Sequence, residues 1–145
     1  MKRHWIGGLA GLLMAIILVG CGAEGATGQV ESLSPDELKK YIEDNNEAFV
    51  LLNNTEDEKE RKDNINLVEQ QIKSISVKEI NAKSEEMLDN NLKPDDLGLK
   101  DIQFETLGYY EDGTLEKYVS LRGVDYSSED EKQNAIEKFI DETTS

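Results

Sequence analysis

Cys21 is the single cysteine of this 145-residue chain, and it closes the run Leu18-Val19-Gly20-Cys21. Its thiolate is the one strong nucleophile of that segment, the group able to carry a diacylglyceryl chain through sulfur. Val19 and Gly20 are small enough for an extended backbone to enter a narrow protease groove. Upstream, Lys2 and Arg3 supply a short basic start, and Ile6 to Val19 is an apolar run of 14 residues without a charge. A membrane-spanning helix needs about 20 apolar residues, whereas a run in the teens suits the core of a secretory signal. His4 and Trp5 are the only histidine and tryptophan. From Gly22 onward the chain therefore has no thiol, imidazole or indole. That excludes histidine-assisted serine or cysteine hydrolysis, His/Cys zinc sites, dithiol redox chemistry and internal disulfides within this stretch. Carboxylates, Lys, Arg, Tyr and hydroxyls remain.

Over its first 21 positions the chain resembles the bacterial lipoproteins, with Leu18, Val19 and Gly20 as the lipobox and Cys21 as the lipidated residue. The resemblance implies a signal peptide over 1–20, a lipidated cysteine and flexible tether over 21–29, and a place at the extracytoplasmic face of a cell membrane. It also implies acyl modification of the palmitate and diacylglycerol type. Gly22 to Gln29 is rich in Gly and Ala and lacks apolar periodicity. At about 3.3–3.6 Å per extended residue, eight residues reach under roughly 30 Å, so a folded domain would stay near the membrane. Loss of Lys2 and Arg3 with the signal, and of no acid, takes the formal charge from −15 to −17. So acidic a surface disfavours nucleic acid and anionic head groups. Attachment would rest on the acyl chains, at about 0.8 kcal/mol per buried methylene.

The remaining elements alternate. Ser34-Pro35-Asp36-Glu37 predicts a capping box and a helix whose buried stripe is Leu38, Tyr41 and Ile42. Ala48 to Leu52 is a continuous apolar run and predicts a central strand covered on both faces. Thr55 to Glu58 reads as a second capping box, opening a long helix to about Lys73. Its charged start should face solvent, and its buried stripe should be Ile65, Val68 and Ile72. Ser76 to Ile80 alternates like a strand, and Ser84 to Leu92 carries Met87, Leu88 and Leu92 on a short helix. Asp112-Gly113 between Gln103–Tyr110 and Leu115–Leu121 predicts a tight hairpin. Ser128 to Glu131 supplies a third capping box, before a helix burying Ile136, Phe139 and Ile140. Asp141 to Ser145 reads as a frayed end.

The order helix, strand, helix, strand, helix, strand, strand, helix resembles the thioredoxin fold. Phe49 to Asn54 looks like the central strand that precedes the redox motif, and Phe104 to Leu107 like the strand entered by a cis-proline and threonine. The expectation is an α/β, thioredoxin-like domain over 30–141 with a mixed four- to five-stranded sheet, flanking helices, and a tail over 142–145. In that register the redox cysteines would fall near Lys59 and Lys62 and the cis-proline near Glu105. The family's functional residues therefore do not carry over.

Other constellations are weaker. Asp89, Asn91 and Lys93 have the opening spacing of a calcium loop but lack its glycine and put an ammonium at a ligand position. Asp95-Asp96 and Glu111-Asp112 read as solvated acids, so no metal or cofactor is expected. Tyr109, Tyr110 and Tyr118 gather at the hairpin. Strand alternation sends one of Tyr109 and Tyr110 to the core and the other outward, where a tyrosine can anchor a protein partner. Cross-strand packing is the alternative. The chain reads as a membrane-anchored, non-catalytic binding module for an unknown envelope protein or wall component. The alternative is a carboxylate-based enzyme acting on cell-envelope material, with Glu105 or Asp112 as its acid.

Overall fold

The computed structural model describes residues 28–145. Cys21, the lipobox and 21–27 of the tether lie outside the described residues.

The chain builds β1 (Val30–Ser32), α1 (Pro35–Asp44), β2 (Glu47–Asn53), α2 (Glu58–Gln71), β3 (Val77–Asn81), α3 (Glu85–Asp89), β4 (Thr106–Glu111), β5 (Thr114–Ser120) and α4 (Glu129–Thr144). The five strands form one sheet in the order β1-β3-β2-β4-β5. β1, β3 and β2 run parallel, whereas β4 is antiparallel to β2 and β5 to β4. With helices on both faces this is the thioredoxin-like α/β architecture, here with five strands.

The apolar run in β2 explains why the sheet is covered twice. Successive side chains of a strand point to opposite faces. Phe49 and Leu51 accordingly enter a core with Leu67, Val68, Leu107, Ile136 and Phe139, under α2 and α4. Val50 and Leu52 enter the other, with Leu38, Ile42, Met87, Leu99 and Tyr110, under α1 and α3. Phe49 meets Phe139 edge-on, with ring centroids 6.3 Å apart.

Capping decides the helix starts. Ser34 closes a full capping box with Glu37 at α1. At α2 the cap is Asp57, not Thr55, because the Thr55 hydroxyl is engaged elsewhere and the Asp57 carboxylate accepts from Lys59 N at 2.9 Å. At α4 Ser128 accepts from Glu131 N, but the Glu131 carboxylate turns to Ser127, so only half of the expected box forms. At the hairpin Asp112 and Gly113 both take positive φ, 50° and 78°, the pair of values a tight primed turn requires.

Several expectations are corrected. The α2 stripe is Asn64, Leu67 and Val68, continued by Ile72, with Ile65 only part-buried. β3 does not alternate between core and solvent. As an interior strand it has neighbours on both sides and helices on both faces, so Lys78 (3% exposed) and Glu79 (0%) are buried with Val77 and Ile80. Leu88 faces out at 55% exposure, because five residues of α3 turn only Met87 inward. Gln103 to Glu105 stand before the ladder, which opens at Thr106. The segment 142–145 is no tail, since α4 runs to Thr144 and its last-turn hydroxyls bond back to Phe139 and Ile140 carbonyls.

Candidate functional site

The carboxyl ends of β1, β3 and β2 form one pole of the sheet, the place where an α/β fold opens a crevice for ligands. The turn from β2 into α2 is tied down there. Thr55 N donates to Asn81 Oδ1 at 3.1 Å, and Asn81 Nδ2 returns a bond to Thr55 O at 2.7 Å. Thr55 Oγ1 accepts from Asp57 N at 3.0 Å and donates to Glu60 Oε2 at 2.7 Å.

Two clusters flank this turn. The first is centred on Glu79, which is wholly buried. Its carboxylate accepts from Ser32 Oγ (2.6 Å), Asn53 Nδ2 (3.1 Å), Arg61 Nε (2.9 Å) and Arg61 Nη2 (2.8 Å). Asn53 is held in turn by Asn64 Nδ2 at 2.9 Å. Arg61 Nη1 also bonds Glu58 and Nη2 also bonds Ser32, so all three guanidinium nitrogens are engaged. Glu79 and its hydrogen-bonding hold Arg61 above its ordinary pKa. A cleft of about 610 Å³ lies outside this network, rimmed by Glu56, Glu58, Glu85 and Glu86 with Lys83 and Ser84. Those acids, and a guanidinium whose three nitrogens are already engaged, make it inhospitable to anions.

The second cluster lies on the α2–α4 side. Glu105 sits at a left-handed φ of 55°, one residue before β4. Burial comes first in raising its pKa above the ordinary carboxyl range, then the charge of Glu60 and its hydrogen-bonding, with Arg122 and Lys132 pulling the other way. Burial and a neighbouring carboxylate both favour the protonated form of Glu105. The folded state keeps a proton that the unfolded chain gives up, so stability is greatest below the ordinary glutamate range and falls as pH rises through the raised value. Glu105→Gln is therefore expected to unfold at higher urea than the parent at neutral pH, the gap closing toward about pH 4. A gap that widens on acidification would contradict this.

The positions singled out in the sequence separate. Lys59 is exposed and pairs with Asp63 at 2.7 Å, and Lys62 is exposed beside it. No peptide bond among the described residues is cis, at Glu105 or elsewhere. Asp112 lies in the hairpin turn, where its N–H bonds Asn46 O at the amino end of β2, the opposite pole from Glu105. These two acids cannot serve one reaction. Asp96 is spent on Lys93 N (2.8 Å), and among the described residues no three acids, histidines or cysteines converge as metal ligands.

Of the tyrosines, Tyr110 is corrected as a partner contact. It is 1% exposed, and its hydroxyl donates to Lys100 O at 2.9 Å. Tyr109 is part-buried against Phe49, with Glu47 accepting from its hydroxyl at 2.7 Å and pushing its pKa up to about 12. Tyr118 is 57% exposed on the edge strand β5 and remains available.

Sequence reasoning passed over Arg61, Glu79, Asn64 and Lys132. A signal existed for three of them: Arg61 and Asn64 precede Ile65 and Val68 by four, and Lys132 precedes Ile136 by four. They therefore continue the buried stripes.

No protein-family model matches the chain, and no curated protein matches it. Solved structures do. A chain of the complex between ferredoxin:thioredoxin reductase and thioredoxin f2 aligns at 13% identity and a TM-score of 0.49, over 82% of this chain and 98% of its own. Oxidised thioredoxin from Plasmodium falciparum gives 12% and 0.46, over 77% and 98%. A mutant thioredoxin from Halobacterium salinarum NRC-1 gives 16% and 0.45, over 81% and 96%. At such identities the likeness concerns fold alone, and the strand order above defines that fold independently.

Proposed function

We propose that this chain is an extracytoplasmic lipoprotein, anchored through Cys21, whose thioredoxin-like domain is a non-catalytic binding module without thiol-redox activity. Its partner is another envelope protein or a wall component. One observation carries the binding reading: at the pole where this fold gathers reacting groups, the Glu79 network is already closed on itself. Orientation supports it. Gly28 N bonds Ile75 O at 2.8 Å, just before the amino end of β3, so the chain enters the domain at the pole opposite the cleft. An anchor reached through Gly28 would turn the cleft away from the membrane and leave β5, with Tyr118, along one flank.

Cys21→Ala tests the anchor. The variant is expected to lose incorporation of labelled palmitate and to stay as the longer precursor; labelling equal to that of the parent would refute attachment through Cys21.

The carboxylate-enzyme reading retains one favourable observation, the raised Glu105 beside Glu60. Release of soluble sugar from purified wall, abolished in Glu105→Gln and retained in Asp112→Asn, would establish it over the binding module.

A further inference from the structure

Lys132 is a cation in a place that opposes it. It lies in the first turn of α4, its main-chain N–H bonded to Ser128 O at 3.2 Å, and the residue is 8% exposed. The positive end of the helix dipole and burial both disfavour an ammonium there. Among the described residues no hydrogen bond or ion pair reaches its Nζ. The only fully enclosed side-chain polar atom left without a partner among those residues is Ser76 Oγ. The Lys132 ammonium therefore keeps an opening, and it gives onto a groove of about 520 Å³ between α2 and α4.

Glu60 and Glu105 line the same groove, with Asp63 and Glu129 at its rim. Lys132 is near enough to be felt by Glu105 yet forms no ion pair with it, so a gap separates the ammonium from the two carboxyls. Ligand charge decides what fits that gap. A simple anion would pair with Lys132 but face four acids, and a simple cation would pair with the acids and leave Lys132 unsatisfied. A neutral sugar would neutralise neither. A molecule carrying both charges a few ångströms apart satisfies both walls.

We propose that this groove binds a small zwitterion, an amino acid or a dipeptide, with its carboxylate on Lys132 and its ammonium on the Glu60–Glu105 pair. The charged groups facing the pair are Asp63 from α2, Arg122 from the segment after β5, and Glu129 and Lys132 from α4. The arriving ammonium favours the ionised form of Glu105, so the Glu105 proton leaves to solvent and affinity rises with pH until Glu105 is ionised in the free protein. The inference deepens the binding reading by naming a ligand class. It is independent of the anchor and of any protein partner, because the probes are small and soluble.

The test is an NMR titration of the purified chain with alanyl-alanine, its N-acetyl derivative and its C-terminal amide. Alanyl-alanine is expected to shift amide signals of 60–67, 105 and 121–133, with both blocked forms at least about tenfold weaker. Lys132→Met should abolish the preference over the amide, and Glu105→Gln the preference over the acetylated form. The proposal is overturned if no groove-confined shifts appear up to about 10 mM, if the three probes bind alike, or if Lys132→Met binds as the parent does.

Discussion

Arg61→Ala is expected to cost the domain about 3–5 kcal/mol, the range found when one partner of a buried ion pair is removed. Glu79 is 0% exposed and lies on β3 between two other strands, beyond the reach of water. Among the described residues Arg61 supplies two of its four hydrogen bonds and its only countercharge. Without the guanidinium, Ser32 and Asn53 would be left to stabilise an isolated buried carboxylate. The contrast is Lys59–Asp63 on the same helix, whose side chains are 83% and 59% exposed. Breaking that pair should cost no more than about 1 kcal/mol. Pairing Arg61→Met with Glu79→Gln should recover much of the loss, since it removes the stranded charge as well as its partner. Urea unfolding of the three variants checks this; a loss below about 1 kcal/mol for Arg61→Ala would contradict the buried pair as the support of Glu79.

Leu51→Ala should cost about 2–5 kcal/mol, combining lost transfer energy with the cavity left in a core that collapses only partly. Leu51 is 0% exposed at the middle of β2, between Glu79 of β3 and Leu107 of β4. A small domain has only about 5–15 kcal/mol in hand, so the urea midpoint should fall steeply. Leu88→Ala, at 55% exposure, is the control and should stay within about 0.5 kcal/mol of the parent. Equal midpoints for the two variants would contradict the assignment of β2 as the central strand. The Leu51 and Arg61 effects are not independent, because both act on Glu79's surroundings, and they should not be summed.

The fold was legible wherever one local signal dominated. The unbroken apolar run at Ala48 to Leu52 marked a doubly covered strand, Asp112-Gly113 marked the turn, and Ser34 with Glu37 marked a helix start. Legibility failed where tertiary pairing overrode a local pattern. Ser76 to Ile80 read as an alternating strand. Lys78 and Glu79, on its two faces, are both buried, because Lys78 finds Glu31 at 2.7 Å and Glu79 finds Arg61, each partner distant in sequence. Thr55 read as a cap, and its hydroxyl went to Glu60 and Asp57 N instead. The groove between α2 and α4 was invisible for the same reason. Glu60, Glu105 and Lys132 come from three elements, and no spacing along the chain announces their meeting.

On the proposal above, the domain acts by touching a partner at the end facing away from its anchor. Photo-crosslinking in the native membrane tests it most directly, with the probe placed at Glu58 on the cleft rim in one variant and at Gln29 beside Gly28 in the other. The account predicts adducts of defined mass with an envelope component from Glu58, and none of that mass from Gln29. Adducts from Gln29 alone, or none from either position, would contradict it.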